Sequence, residues 1–277
     1  MEEHLKEMPE FMDGWALGPI PESIIGKGTY GVVYKVSKTV DGVQKYAALK
    51  HIHIPRSEQE INALRQEMEE ADVRAYYEDL VERFENEIET MRKLEFCVNV
   101  VHLESSKVVK SETELSYDIY ILMELLEDSQ SYIKNHWSEK EVVHLGKDIC
   151  SALMACSKQG IIHRDIKPAN ILVSKSEEGT VYKLADFGIA KQLSSASINM
   201  TGRMGTRGYM APEENRSSGY GDVMTLDIYS LGIVLYQLLN GNRLPFLPVE
   251  GRFNQDQYEE AIKRRLRGES LPKPHNA

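Results

Sequence analysis

Two short segments place oxygen and nitrogen donors at chemically useful spacings. "HRDIKPAN" (163–170) holds His163, Arg164, Asp165, Lys167 and Asn170 within eight positions, bracketed by Ile161, Ile162, Ile171, Leu172 and Val173. "ADFG" follows, and the stretch between Asp165 and Asp186 contains "SEEGT" (176–180), turn residues that predict a hairpin. Two aspartates and Asn170 on loops flanking a hairpin are hard oxygen ligands converging on one place. That donor set suits Mg2+, which takes carboxylate and amide oxygens together with phosphate. Lys167 would offset the negative charge. The lesser reading of either motif alone is a structural polar network.

A second group lies upstream. Gly26, Gly28 and Gly31 of "GKGTYGVV" follow a G-x-G-x-x-G-x-V pattern, which in isolation is also ordinary turn chemistry. A dinucleotide site would need a helix to start here, with its N-terminus on the pyrophosphate. The segment instead continues as strand, "VVYKVS". A glycine loop over phosphates fits better, because absent side chains let backbone N–H groups approach them. Lys50 ends the strand "AALK". A lone strand lysine is usually solvated, but Glu87 falls inside a helical apolar stripe of Leu80, Phe84, Met91 and Leu94. A carboxylate there is costly unless paired, whereas Glu85 and Glu89 lie off the stripe. A Lys50–Glu87 ion pair would satisfy both groups and aim the ammonium at phosphate oxygens.

The positioning elements follow from periodicity. Residues 24–54 alternate as strands, with Asp41-Gly42 as a tight turn, so the first fifty residues predict a small antiparallel sheet. Residues 57–95 are helical, with capping-box spacing at Ser57 and Glu60 and with Asp72 as the cap of a second helix. Strands are expected around 100–109 and 117–124. After Asp128 the chain turns helical: Ser138 and Glu141 open a helix running to Gly160, and 194–219 reads as a long loop. "LDIYSLGIVLYQLLN" predicts a buried central helix closed by Gly241. Sheet first and helices after give a two-lobed α+β protein with a boundary near 124–130.

Composition narrows the classes. With 277 residues, 42% hydrophobic and 27% charged, the chain can build one large domain or two lobes. A net charge of −10 argues against a nucleic-acid partner. Cys97, Cys150 and Cys156 are odd in number and widely spread, which fits reduced thiols better than disulfides or zinc. The acidic N-terminus is no signal peptide, and the longest apolar run contains Asp227 and Gln237. A cytoplasmic protein without a membrane segment is expected.

The ordered set "GKGTYGVV", "AALK", "HRDIKPAN", "DFG" and "APE" resembles the eukaryotic-type protein kinases, over roughly residues 22–270 and with a bacterial Ser/Thr flavour. The resemblance implies the two-lobed kinase fold: an extension at 1–21, an N-lobe at 22–124 and a mainly helical C-lobe at 125–277. It implies ATP and Mg2+. Gly26, Gly28 and Gly31 would cover the ATP phosphates, and Lys50 would anchor them with Glu87 as its helix partner. Val33, Ala48 and Leu172 would wall the adenine, Met123 would be the gatekeeper, and Glu124, Leu125 and Leu126 the hinge. Asp165 would be the base that orients the acceptor hydroxyl, Lys167 would steady the phosphoryl group, and Asn170 and Asp186 would hold magnesium. Asp227 would hold the catalytic loop, and Met91, His163 and Phe187 would stack as an apolar column. Lys167 and Thr206 imply Ser/Thr acceptors on protein substrates. Arg164 and Lys191 would receive a phosphate on Thr201, or on Ser194, Ser195 or Ser197, added by autophosphorylation in trans.

Two features depart from the family. The Lys50–Glu87 stretch is long enough to add a helix. The family also continues with two more helices carrying an arginine that pairs with the glutamate matching Glu213, and no such segment follows here. The chain therefore reads as a fragment or as a member with a reduced C-lobe. A pseudokinase or nucleotide-binding scaffold is the rival class. Such proteins commonly lose the lysine, the base or the metal aspartate, and this chain keeps Lys50, Asp165 and Asp186.

Overall fold

The computed structural model of the protein describes residues 5, 8–9, 11–28, 31–112, 114–177, 179–187, 207–215 and 225–276. The chain divides into two compact units, Met1–Glu95 with Val101–Leu126, and Phe96–Val100 with Glu127–Ala277.

The first unit is an antiparallel sheet backed by helices. The strands are β1 (Ala16–Leu17), β2 (Ile24–Lys27), β3 (Gly31–Val40), β4 (Val43–Ile54), β5 (Leu103–Lys110) and β6 (Tyr117–Glu124). They run in the order β1-β3-β4-β6-β5, with β2 also paired to β3. Asp41 and Gly42 close the β3–β4 hairpin with φ of 51° and 78°. Two successive left-handed residues match the strand twist, and Asp-Gly adopts them at little cost. Ala47 and Leu49 join Tyr34, Val36, Tyr120 and Leu122 in a core cluster onto which Leu5, Met8, Phe11, Met12 and Trp15 pack. Leu5 donates its N–H to the Tyr34 hydroxyl at 3.1 Å. The stretch expected to be an extension thus contributes to this unit's core.

The long insertion forms α1 (Glu58–Glu67), followed by α2 (Glu70–Lys93). Ser57 caps α1 by accepting from the Glu60 N–H at 3.2 Å. The Glu60 carboxylate turns instead to the Arg56 N–H at 2.8 Å, so half of the capping box forms. Asp72 caps nothing: α2 starts at Glu70, and Asp72 sits in its first turn, where an acidic group favours the exposed N–H groups of the helix end. The stripe read from the sequence is the buried face of α2, with Leu80, Phe84, Glu87 and Met91 inside, and it packs toward β5 and β6.

The second unit contains α3 (Ser129–Asn135), α4 (Glu139–Lys158), α5 (Thr225–Leu239) and α6 (Gln255–Leu266). A small sheet, β7 (Glu127–Asp128), β8 (Ile171–Ser176) and β9 (Gly179–Leu184), pairs in that order. Ser138 caps α4 through the Glu141 N–H, while the Glu141 carboxylate accepts from the Tyr182 hydroxyl at 2.7 Å. Helix α4 packs on β9 and α5. A Cβ at Gly146 would lie 3.2 Å from the Leu235 side chain, so glycine permits that close approach. Helix α5 is buried as expected, including its polar Asp227, Ser230 and Gln237, and Gly241 follows at φ 60°. Residues 161–167 carry no strand. Part of the expected long loop, Pro212–Asn215, is a 3-10 turn. Among the described residues no helix is long and apolar enough to cross a membrane.

Candidate active site

The loop at 163–167 is held from below by one carboxylate. Asp227 on α5 is buried, and its Oδ2 and Oδ1 accept the backbone N–H groups of His163 and Arg164, each at 2.8 Å. Arg164 sits at φ 60°, a left-handed conformation that costs a non-glycine residue roughly 1–2 kcal/mol. The two bonds from Asp227 bracket and fix that strained residue. Asp165 comes next, 8% exposed, with Oδ2 at 3.0 Å from the Lys167 Nζ.

His163 ties this loop to the next. Its buried ring accepts the Asp165 N–H at Nδ1 (3.2 Å), which leaves the proton on Nε2, donated to the Ala185 carbonyl at 3.0 Å. Burial pushes the imidazole below its usual range, against the pull of Asp227, and the ring stays neutral. Phe187 packs against it with centroids 5.0 Å apart.

The β8–β9 hairpin sets the remaining oxygens. Asn170 lies one residue before β8, and Ala185 and Asp186 lie just after β9. Ile171 pairs with Leu184, and the Ala185 N–H donates to the Asn170 carbonyl at 2.9 Å, so both loops leave the same end of the hairpin. The Asn170 amide nitrogen donates to the Asp165 carbonyl at 2.8 Å, which orients its side-chain oxygen. Asp186 is exposed, at φ 58°. One amide and one carboxylate oxygen fit a hard divalent ion that draws the rest of its shell from phosphate and water. Leu172 is half-buried in β8.

In the first unit the register gathers the other candidates. Val33 pairs with Lys50, and Ala48 pairs with Met123. With the two-residue repeat of a strand, Val33, Ala48, Lys50 and Met123 share one face, opposite Ala47 and Leu49. Lys50 Nζ lies 3.5 Å from Glu87 Oε1, with the carboxylate 4% exposed. Glu124 accepts the His102 N–H at 2.7 Å through its side chain, which fixes the start of the segment ending at Leu125 and Leu126.

The three glycines differ. A Cβ on Gly31 would collide with the backbone carbonyl of His51, so β3–β4 packing demands glycine there. At Gly26 and Gly28 the nearest atoms would be 3.6 and 3.7 Å away, ordinary contacts. Among the described residues, packing gives no reason for glycine at those two positions, whereas close approach of a ligand would give one.

Lys191, Ser194, Ser195, Ser197, Thr201 and Thr206 lie outside the described residues. Sequence reasoning missed Arg265. It is 2% exposed, on α6, and donates to the carbonyls of Met210 and Arg207 at 2.6 and 2.8 Å. A buried arginine therefore does reach the segment before Glu213, though it binds backbone carbonyls. The available signal was its spacing of four and three residues after the buried Ala261 and Ile262.

Residues 21–276 match the protein kinase domain family. The chain is 34% identical over 227 residues to the probable serine/threonine-protein kinase PknB of Lactococcus lactis, covering 80% of this chain and 31% of that protein. It is 33% identical over 160 residues to the calcium/calmodulin-dependent protein kinase type II alpha chain of Drosophila melanogaster, covering 58% of this chain and 29% of that protein. It is 32% identical over 219 residues to the serine/threonine-protein kinase TIO of Arabidopsis thaliana, covering 79% and 14%. The chain thus spans less than a third of the length of these relatives. With the clamped loop, the hairpin oxygens and the lysine–glutamate pair in place, this chain belongs to the protein kinase domain family.

Proposed function

We propose that the chain is a Ser/Thr protein kinase that transfers the γ-phosphoryl group of ATP, with Mg2+, to hydroxyls of protein substrates. The observation that carries this reading is the catalytic loop: Asp165 and Lys167 side by side, on a backbone fixed by Asp227. Asp165 accepts a hydrogen bond from the acceptor hydroxyl and takes its proton as the new O–P bond forms and the bond to ADP breaks. Lys167 offsets charge on the moving phosphoryl group, and Lys50, oriented by Glu87, anchors the phosphates. Gly26, Gly28 and Gly31 are assigned to the phosphates, and Val33, Ala48, Met123, Glu124 and Leu126 to adenine, with Leu172 the matching adenine candidate of the second unit. Asn170 and Asp186 would hold the magnesium ion, which neutralises phosphate charge when bound. Phosphorylation of Thr201 between molecules, answered by Arg164 and Lys191, is the regulatory part of the same reading. Free cysteines fit a reducing, cytoplasmic location.

Intact-mass analysis after incubation with ATP and Mg2+, with and without a generic basic acceptor protein, tests the proposal. The expected result is phosphate added to the acceptor by the unsubstituted chain and none by Asp165→Asn. ATP binding without any transfer would favour the scaffold class instead.

A further inference from the structure

The match to the kinase family begins at residue 21, yet residues before it are built into the first unit. Leu5 and Met12 are 8% and 4% exposed. Apart from the two-residue strand β1, residues 5 and 11–17 carry no helix or strand. Such a segment is loose unless tied down.

Its ties run across the sheet. The Leu5 N–H donates to the Tyr34 hydroxyl on β3 at 3.1 Å, and Lys38 Nζ, also on β3, donates to the Asp13 carbonyl at 2.8 Å. The Phe11 ring meets Tyr120 on β6 edge-on, with centroids 5.2 Å apart. Lys107 Nζ, on β5, lies 4.5 Å from the Phe11 centroid. In β1, Leu17 pairs with Val36 of β3. In the strand order β1-β3-β4-β6-β5, these contacts make a strap that reaches from β3 to β5.

The pleat fixes which face the strap covers. Tyr34 pairs with Leu49 and Leu49 with Leu122, while Val36 pairs with Ala47 and Tyr120 with His51, all on one face. Val33, Ala48, Lys50 and Met123 each adjoin one of these residues in sequence and point to the opposite face. There Lys50 meets Glu87 of α2. The strap and the four residues assigned to ATP therefore lie back to back across one layer of strand. Tyr34, Ala47 and Leu49 are fully buried in the strap's cluster. Packing that tight transmits displacement, so a shift under the strap moves the neighbouring residues of the same strands.

We propose that residues 5 and 11–17 are a positioning element for ATP: the docked strap holds β3, β4 and β6 in the arrangement that takes up the nucleotide, and bound ATP holds the strap down in return. This rests on the assignment of Val33, Ala48, Lys50 and Met123 to ATP given above.

The test compares Phe11→Ala and Tyr34→Phe with the unsubstituted chain. The Met12 and Trp15 amides, which donate to the Pro9 and Met12 carbonyls at 2.9 and 3.0 Å, report on the strap by hydrogen exchange. In F11A they are expected to exchange at least about tenfold faster, with the amides of 171–173 unchanged. Its KM for ATP is expected to rise about fivefold in transfer to a generic basic acceptor protein, with kcat and the acceptor KM changed less than about twofold. Y34F removes only the acceptor for the Leu5 N–H and should shift KM for ATP in the same direction by about twofold. Because coupling is reciprocal, saturating ATP with Mg2+ should slow exchange at Met12 and Trp15 of the unsubstituted chain by up to about fivefold, a readout that needs no variant. Strap amides that ATP leaves unchanged, or a strap loosened in F11A with KM for ATP unmoved, would overturn the proposal. So would a parallel loss of kcat and acceptor affinity, or uniform acceleration of exchange, as from global loosening. An unsubstituted chain that binds no ATP by calorimetry would instead overturn the nucleotide assignment itself.

Discussion

The two units bury charge in different ways. In the second, Asp227 is 4% exposed and both its oxygens accept backbone N–H groups from adjacent residues, each at 2.8 Å. In the first, Glu87 is equally buried, but its partner is the end of a flexible lysine, 3.5 Å away and 19% exposed. The Asp227 device has no freedom short of unfolding the loop, because its donors are backbone. The Lys50–Glu87 pair joins a strand to a helix through rotatable side chains, so it can break while both elements stay folded. The loop that carries Asp165 is therefore built in, whereas the Lys50–Glu87 pair is an adjustable contact.

Substitutions can break that contrast. Asp227→Asn should have the largest effect. An amide offers one acceptor and turns an NH2 toward the second backbone donor, which costs about 1–3 kcal/mol. Turnover should fall roughly 100-fold through misplacement of Asp165. Denaturant melts and transfer assays together check this. Glu87→Gln should lower transfer about tenfold with less than about 1 kcal/mol lost in stability, since the pair is partly solvated. A stability loss as large as that of Asp227→Asn would remove the contrast.

Smaller effects sharpen the picture within the first unit. Gly31→Ala should lower stability by about 1–3 kcal/mol, because its Cβ meets the His51 carbonyl. Gly26→Ala should leave stability within about 0.5 kcal/mol while weakening ATP binding a few-fold, which calorimetry would register. The smallest effect on transfer is expected at Asp118. Burial works to raise its carboxyl, but hydrogen bonds from His51 (2.7 Å) and His53 (3.0 Å) outweigh it and hold it well below the usual carboxylate range. A carboxyl lowered in the folded state stabilises fully above the unfolded value, about 4, and loses that contribution as pH falls below it. The stability gap between the unsubstituted chain and Asp118→Asn should therefore be constant from about pH 5 to 6 and shrink below about pH 4.

Much of the site was legible because its parts sit in contiguous motifs. Glu87 was legible as a carboxylate inside an apolar stripe. Arg265 obeys the same rule, but "KRRLR" reads as a solvated basic run, and the identity of the buried arginine depends on helix phase. The capping boxes were half legible. Ser57 and Ser138 cap as their spacing indicates, while Glu60 and Glu141 turn to Arg56 and Tyr182, partners that local spacing does not reveal. The core role of Leu5, Phe11 and Met12 was hidden as well, because a short acidic segment with scattered apolar residues shows no period.

In the proposed mechanism Asp165 acts on the acceptor hydroxyl and not on ATP binding. The most direct test measures ATP affinity and single-turnover transfer for Asp165→Asn beside the unsubstituted chain, in the presence of Mg2+. ATP affinity within about threefold and transfer lowered by at least about 100-fold is the expected result. Transfer that survives the substitution, or that falls only in step with ATP affinity, would contradict the account.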